Sequence, residues 1–321
     1  MAKLSCNGFE VDTDVMPWGE LRDSSGVLGD LSELQRRAEE DGYIFVRGLL
    51  DRNTVARARE EILLKYAIVG EIDTSEHPAS DGILRSQSYV REINLEALVA
   101  SLRSGYWYES VVLNQSLLDL YASIFGEPAE PFAYRWPRMM RQGEGCGIHA
   151  DIPYIGRGTK TVWTSWIPIG DVPLDNGPLI ILENSHRNEK LLDYFGRDAA
   201  KEKIGWLDRD PAGLQEKIGG RWLSTDFEMG DVLCFSGYIV HGALDNNSSA
   251  RRCRLSSDTR YQPSSHAKDA RWFGDVSNPY GNDYEKGKRV FYPGLVAGDS
   301  TNSDLKEEWK PVGQDGKLIM S

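Results

Sequence analysis

Long apolar runs are missing from this chain of 321 residues, and no stretch could span a bilayer as a helix. Its start, Met1 to Asn7, also lacks the apolar core and small-residue cleavage site of a secretory signal, so a soluble, cytoplasmic protein is expected. Cysteine is scarce. Cys6, Cys146, Cys234 and Cys253 lie far apart without a C-x-x-C pair, which argues against a disulfide framework or a zinc-thiolate site and for reduced thiols. Positive charge is in deficit too: 37 Lys and Arg against 49 Asp and Glu leave a formal net charge of -12. Such a chain gains nothing from the field of a nucleic-acid backbone or an anionic membrane, so neither is an expected partner and a small molecule is. Internal repeats and low-complexity tracts are absent as well.

What is present reads as one domain in three parts. Residues 1–128 form a helical elaboration. Asp30-Leu31-Ser32-Glu33 has a capping pattern, Leu31, Leu34 and Ala38 share a helical face, and Gly42 is placed to stop that helix near 41. Tyr43 to Val46 reads as a buried strand, and Val55, Ala58, Ile62 and Tyr66 as a second helix behind the turn 51–54. Residues 70–108 mix Gly, Ser, Pro and charge and predict a long irregular segment, after which Leu113, Leu117, Leu120 and Ile124 predict a helix closed by Gly126. From 129 to 262 the texture changes to short runs of aromatic and β-branched residues bounded by turn formers: 132–140, 161–169, 179–182, 231–235, 239–241 and 252–261. This predicts a mainly β fold, a sandwich or barrel of jelly-roll type with helices packed outside it. The charged, helix-prone stretch 187–217 interrupts the strands as an insertion, read equally well as a solvated excursion or a lid. Residues 263–321, with Trp272, Phe273, Tyr280, Phe291 and Tyr292 among Gly, Asp, Asn and Lys, read as a wrapping tail.

Histidine is scarce as well, which makes its placement informative. Of the five, at 77, 149, 186, 241 and 266, only His149 is followed two positions later by an acid, Asp151. On an extended strand that spacing sets an imidazole and a carboxylate on one face, as two ligands of one metal ion require. His241 comes just after the buried run Gly230 to Phe235, so the jelly roll has room to return it beside His149. Two imidazoles and a carboxylate on one side of a metal leave three positions open, the arrangement suited to non-haem Fe(II) oxygen chemistry. Arg252 stands eleven residues beyond His241, and strand alternation puts Arg252, Arg254 and Ser256 on one face. An inward guanidinium beside a hydroxyl can hold a carboxylate bidentately. Arg138 and Arg141, ahead of His149, are read as surface charge, Tyr154 as a packing residue, and Cys146 as a small buried hydrophobe.

In order, His149-x-Asp151, Trp166, Asn176-Gly177-Pro178-Leu179, Ser185-His186, Gly230-Asp231, His241-Gly242 and Arg252 resemble the phytanoyl-CoA dioxygenase-like branch of the Fe(II)/2-oxoglutarate-dependent oxygenases. The resemblance covers about 130–262, and Asp41 to Leu49 is similar to that family's N-terminal element. It implies a double-stranded β-helix (cupin-like jelly roll) with His149, Asp151 and His241 as iron ligands. Arg252 would hold the distal carboxylate of 2-oxoglutarate with help from Ser256, with Arg254 as the other candidate anchor, and Trp166 would line that pocket. His186 would be structural, Asn184 taking the place of a glycine. Related halogenases lack the carboxylate ligand, so Asp151 implies an oxidation, most simply a hydroxylation, that consumes O2 and releases succinate and CO2. A cupin-like metal-binding protein or a metalloenzyme independent of 2-oxoglutarate remains the rival, since fold alone distinguishes neither.

Overall fold

The computed structural model describes residues 3–86 and 95–273. A hairpin of β1 (Leu4–Cys6) and β2 (Phe9–Val11) and the strand β3 (Trp18–Glu20) open the chain. Asp30 accepts a hydrogen bond from the Glu33 amide at 3.0 Å and Gly42 closes the helix in the left-handed region at φ 71°, which bounds α1 (Leu31–Asp41). The buried strand β4 (Tyr43–Val46) follows, and then α2 (Arg52–Ile68), capped by the Asp51 carboxylate on the Thr54 amide. Next come α3 (Leu95–Arg103), α4 (Tyr106–Val112) and α5 (Gln115–Phe125), the last ended by Gly126 at φ 72°.

The irregular reading of 70–108 is corrected by α3 and α4; residues 87–94 lie outside the described residues. Their apolar stripes are short: Leu98 and Leu102 in one helix, Tyr108, Val111 and Val112 in the other. Against a long polar window, stripes of two or three residues leave little periodic signal.

The remaining strands are β5 (Ala129–Pro131), β6 (Trp136–Met140), β7 (Cys146–His149), β8 (Trp163–Pro168), β9 (Leu179–Leu182), β10 (Trp222–Ser224), β11 (Val232–Ser236), β12 (His241–Ala243) and β13 (Arg254–Pro263). They form two facing sheets of a jelly roll, one ordered β3-β10-β9-β12-β7 and the other β4-β11-β8-β13-β5, with β6 also paired to β13. Every residue of β13 is buried, because its two faces have different neighbours. Leu255 and Tyr261 join the helices α1, α2, α4 and α5 in one core, where the Tyr108 and Ser257 hydroxyls hydrogen-bond at 2.7 Å and the Tyr261 hydroxyl donates to the Val112 carbonyl at 2.6 Å. Arg254, Ser256, Asp258 and Arg260 alternate with these and turn between the sheets. There an apolar cluster including Phe45, Trp166, Ile181, Leu233 and Phe235 fills one end.

Between β9 and β10 the chain forms α6's neighbours outside the barrel: α6 itself (Ile152–Ile155) follows β7, and α7 (Leu192–Gly196), α8 (Ala199–Glu202) and α9 (Pro211–Ile218) lie in the segment read as an insertion. That segment is packed. Tyr194, Phe195, Leu207 and Leu214 are buried with Ile148 and Ile180 of the first sheet. Trp272, at the end of the described chain, is buried against Phe132 and Trp136, whereas Tyr280, Phe291 and Tyr292 lie outside the described residues. No helix among the described residues is long and apolar enough to cross a membrane.

At Gly42 a Cβ would approach the His186 ring to 2.6 Å, in addition to the left-handed backbone. Gly42→Ala is expected to destabilise the fold by about 1–2 kcal/mol from the backbone term alone, plus the displacement of His186, as measured by chemical denaturation.

Candidate metal centre

β7 and β12 pair so that His149 and His241 are directly opposite, with ring centroids 4.3 Å apart. Each Nδ1 faces the backbone carbonyl two residues earlier, Gly147 at 2.8 Å and Ile239 at 3.0 Å. With the proton on Nδ1 in each ring, both Nε2 lone pairs are free for a metal, and the ring orientations are held by the backbone. Asp151 completes the group: one donor atom from each of the three buried residues lies within 4.8 Å of the others.

Asp151 is not on the extended strand expected for it. β7 ends at His149, and Asp151 has helical angles (φ -74°, ψ -28°) at the start of α6, where its carbonyl accepts from the Tyr154 and Ile155 amides. A turn, not strand alternation, therefore brings the carboxylate to 3.8 Å from His149 Nε2. The facing sheet holds it there. Thr164 Oγ1 donates to Oδ2 at 2.6 Å, and Arg260 Nη2 donates to both oxygens at 3.1 Å. Thr164 and Arg260 are themselves cross-strand partners on β8 and β13.

The electrostatics favour a metal-ready state. Burial, reinforced by the neighbouring His241, pushes the His149 pKa down to about 3, and burial also lowers that of His241. Burial alone would raise the Asp151 pKa, but the Arg260 guanidinium, the two imidazoles and the Thr164 hydroxyl outweigh it and hold the carboxyl well below the usual range. Two neutral imidazoles and an ionised carboxylate, converging from one side, fit a divalent first-row metal with open positions opposite.

The packed segment 187–217 braces this centre from behind. The Ala150 amide donates to the Tyr194 hydroxyl at 3.3 Å, and Ile148 exchanges backbone hydrogen bonds with Leu207 (2.6 Å) and Asp208 (3.0 Å). The Trp206 indole lies so close to Gly147 that a Cβ there would be 1.9 Å from it. Tyr154 packs against the His149 ring in an edge-to-face arrangement, with ring centroids 5.9 Å apart, and donates its hydroxyl to the Gly205 carbonyl at 2.5 Å.

The arginine expectations need correction. Arg251 takes a left-handed φ of 53° and β13 begins only at Arg254, so the alternation expected to turn Arg252 inward does not reach it. The Arg252 side chain is exposed, and its carbonyl accepts from the side-chain amides of Asn246 (2.8 Å) and Asn176 (3.3 Å). Arg254 is the buried one. Its Nε donates to the Gly177 carbonyl at 3.0 Å, its Nη1 to Ser256 Oγ at 2.5 Å, and its Cζ lies 5.8 Å from the Trp166 ring centre. Burial lowers its pKa to about 10, so it stays a cation at neutral pH, and among the described residues no carboxylate reaches ion-pair distance. Arg138 and Arg141 are not free surface charge: the first pairs with Asp258 and the second with Glu71. His186 packs at Gly42 and meets the Glu39 carbonyl at 3.2 Å, His266 meets Thr159 Oγ1 at 2.9 Å, and His77 lies 3.9 Å from Asp81, so none of them joins the centre.

Thr164, Arg260 and Tyr194 escaped the reading of the sequence. A signal existed for Arg260, since Arg254, Ser256, Asp258 and Arg260 put a polar group at every second position of a strand inside the core region. A strand with that pattern faces either water or a polar cavity.

The profile of the phytanoyl-CoA dioxygenase (PhyH) family matches residues 38–253. The chain belongs to that family. It is therefore a non-haem iron, 2-oxoglutarate-dependent dioxygenase, and the donor set above fits that metal. It is 27% identical over 258 residues to the 1-deoxypentalenic acid 11-beta-hydroxylase of Streptomyces exfoliatus, across 76% of this chain and 85% of that protein. The Streptomyces arenae hydroxylase of the same name is 27% identical over 260 residues, covering 77% and 87%. Two solved structures share the fold. The epimerase SnoN in complex with Fe3+, alpha ketoglutarate and nogalamycin RO has a TM-score of 0.52 at 18% identity, over 75% of this chain and 87% of that one. EctD from S. alaskensis has 0.51 at 15% identity, over 81% and 85%.

Because His149 is neutral in the folded protein down to about 3 and ordinarily titrates at 6.5, the unfolded metal-free oxygenase binds the extra proton between those pH values. Its contribution to stability is thus intact above about pH 6.5 and is lost as the pH falls toward 3. Melting of the metal-free protein across this range should show that slope, and His149→Asn should flatten it.

Proposed function

We propose that His149, Asp151 and His241 hold Fe(II) and that Arg254, with Ser256 and Trp166 beside it, receives the distal carboxylate of 2-oxoglutarate. The oxygenase then hydroxylates a C–H bond of a small organic molecule. The observation that carries this reading is the convergence of three buried metal donors in a fold whose strand β13 also buries a guanidinium, Arg254, that pairs with no acid among the described residues. A metal-bound 2-oxoacid presents its far carboxylate some distance away, and a lone buried arginine beside a hydroxyl is the partner such a group needs. The hydroxylase relatives support carbon hydroxylation as the outcome.

When bound, the iron and 2-oxoglutarate supply the oxidising chemistry: one atom of O2 enters the substrate as a hydroxyl, the other enters succinate, and CO2 leaves. The chain's own residues keep the centre ordered and dry. Gly147 and Ile239 carbonyls fix the imidazole tautomers, Thr164 and Arg260 keep Asp151 ionised and aimed, and the hydrophobic cluster around Phe235 and Ile239 limits water. With Asp151 held by three hydrogen bonds, its coordination position is not left for a halide. Four free cysteines, three of them buried, support a reducing, cytoplasmic compartment.

Anaerobic addition of Fe(II) and 2-oxoglutarate should produce a weak visible charge-transfer band that His149→Ala or Asp151→Ala removes without unfolding the protein; unfolding of either variant would indicate a structural metal. Arg254→Ala should raise the apparent KM for 2-oxoglutarate by at least about ten-fold, the loss associated with a charge-assisted hydrogen bond. Arg252→Ala should leave that KM unchanged, and the opposite ranking would return the anchor to Arg252.

A further inference from the structure

Arg254 and Arg260 are both turned inward from β13, and the reading above uses Arg260 only as a support for Asp151. That support occupies one of its three nitrogens. Nη2 serves both carboxylate oxygens, while Nε and Nη1 are buried and have no hydrogen-bond partner among the described residues. The residue is 4% exposed, and the Trp136 ring lies 4.0 Å beneath the guanidinium carbon. An apolar ring covers that face of the cation, so the two unmet donors can be satisfied only in the guanidinium plane. Leaving a buried charged donor unmet is costly, and native proteins keep such groups where something else completes them.

The charges around it sharpen what that something is. Arg138 already has Asp258, and Arg254 is assigned to the cosubstrate. Asp151, once it serves as a metal ligand, shares its charge with a divalent cation and no longer balances Arg260. Arg260 stands six positions beyond Arg254 along the strand, on the order of 20 Å between their backbones, which places the two arginines toward opposite ends of the strand's inward face. One short dicarboxylate anchored at Arg254 does not account for both.

We propose that Arg260 binds a carboxylate of the prime substrate through Nη1 and Nε, so that this oxygenase acts on a carboxylic acid. The acid group is held beside Asp151, in the guanidinium plane that Trp136 leaves as the direction of approach. This assignment rests on the proposed oxygenase site for its meaning but not for its test.

Cyclohexanecarboxylate, octanoate and naphthoate, each beside its primary amide, would be titrated into the metal-free protein with 2-oxoglutarate present, with the melting midpoint as readout. At least one carboxylate should raise the midpoint where its amide does not. Arg260→Gln should weaken that carboxylate by about ten-fold or more, as expected for loss of a charge-assisted hydrogen bond, and leave the amide response unchanged. Arg260→Lys keeps a cation beside Asp151 without the fork geometry, should weaken it less, and serves if the glutamine variant fails to fold. The melting response of the metal-free protein to 2-oxoglutarate alone, which bypasses the metal centre that Arg260 supports through Asp151, is the parallel control and should weaken less than the carboxylate response in either variant. The proposal is overturned if no carboxylate outperforms its amide, or if Arg260→Gln leaves carboxylate binding intact, since the unmet donors are then merely hydrated. Equal weakening of 2-oxoglutarate also overturns it, because Arg260 then serves the cosubstrate. Absence of the visible band in the unsubstituted protein counts against the oxygenase reading alone, as the melting readout needs no metal.

Discussion

An ionised carboxylate buried between two sheets is the constraint around which the interior is arranged. Left alone, Asp151 would cost several kcal/mol in desolvation or would take up a proton and cease to be a useful ligand. Thr164 and Arg260 prevent both outcomes from the opposite sheet, and they are cross-strand partners, so their spacing is set by the β8–β13 register. The two sheets therefore divide the work. The sheet containing β7 and β12 supplies the histidines, and the helix-backed sheet supplies the charge that keeps the third donor ionised.

That division explains why β13 is buried along its whole length. One face carries Leu255, Ser257 and Tyr261 to the helices, where hydroxyl contacts with Tyr108 and the Val112 carbonyl satisfy polar groups the apolar core cannot. The other face carries two arginines and an aspartate into the cavity. A strand that carries its charges inward and only uncharged residues toward the helices inverts the usual alternation, and the N-terminal helices make this possible by removing the outer face from water.

Much of this was legible. Capping or stop residues together with stripes of three or four apolar positions located α1, α2 and α5, and the aromatic and β-branched runs located most core strands. The histidine pair and Asp151 were legible because histidine is rare here and the HxD spacing occurs once. What failed did so for local reasons. Stripes of two or three residues inside a long polar window hid α3 and α4. The end of β7 was taken one turn too far, since nothing in Gly-Ile-His-Ala-Asp announces that the chain leaves the sheet after His149. Arg252 was expected to face inward together with Arg254, but the left-handed residue at Arg251 delays the strand, and a non-glycine residue in that conformation has weak sequence marks. Arg260 and Thr164 went unseen as a pair because they are joined only by sheet register.

The contact between Gly147 and Trp206 has a consequence for how this chain can vary. The indole occupies the space that any side chain at 147 would fill, while the backbone at 207–208 continues the sheet beyond the strand that carries His149. The excursion between β9 and β10 is in this sense an extra strand of the barrel wall. It is not an appendage that could be shortened freely. Residues 147 and 206 are thus sterically coupled in this chain: a larger residue at 147 requires a smaller one at 206, and shortening the excursion requires another filler for the gap over the strand that carries His149.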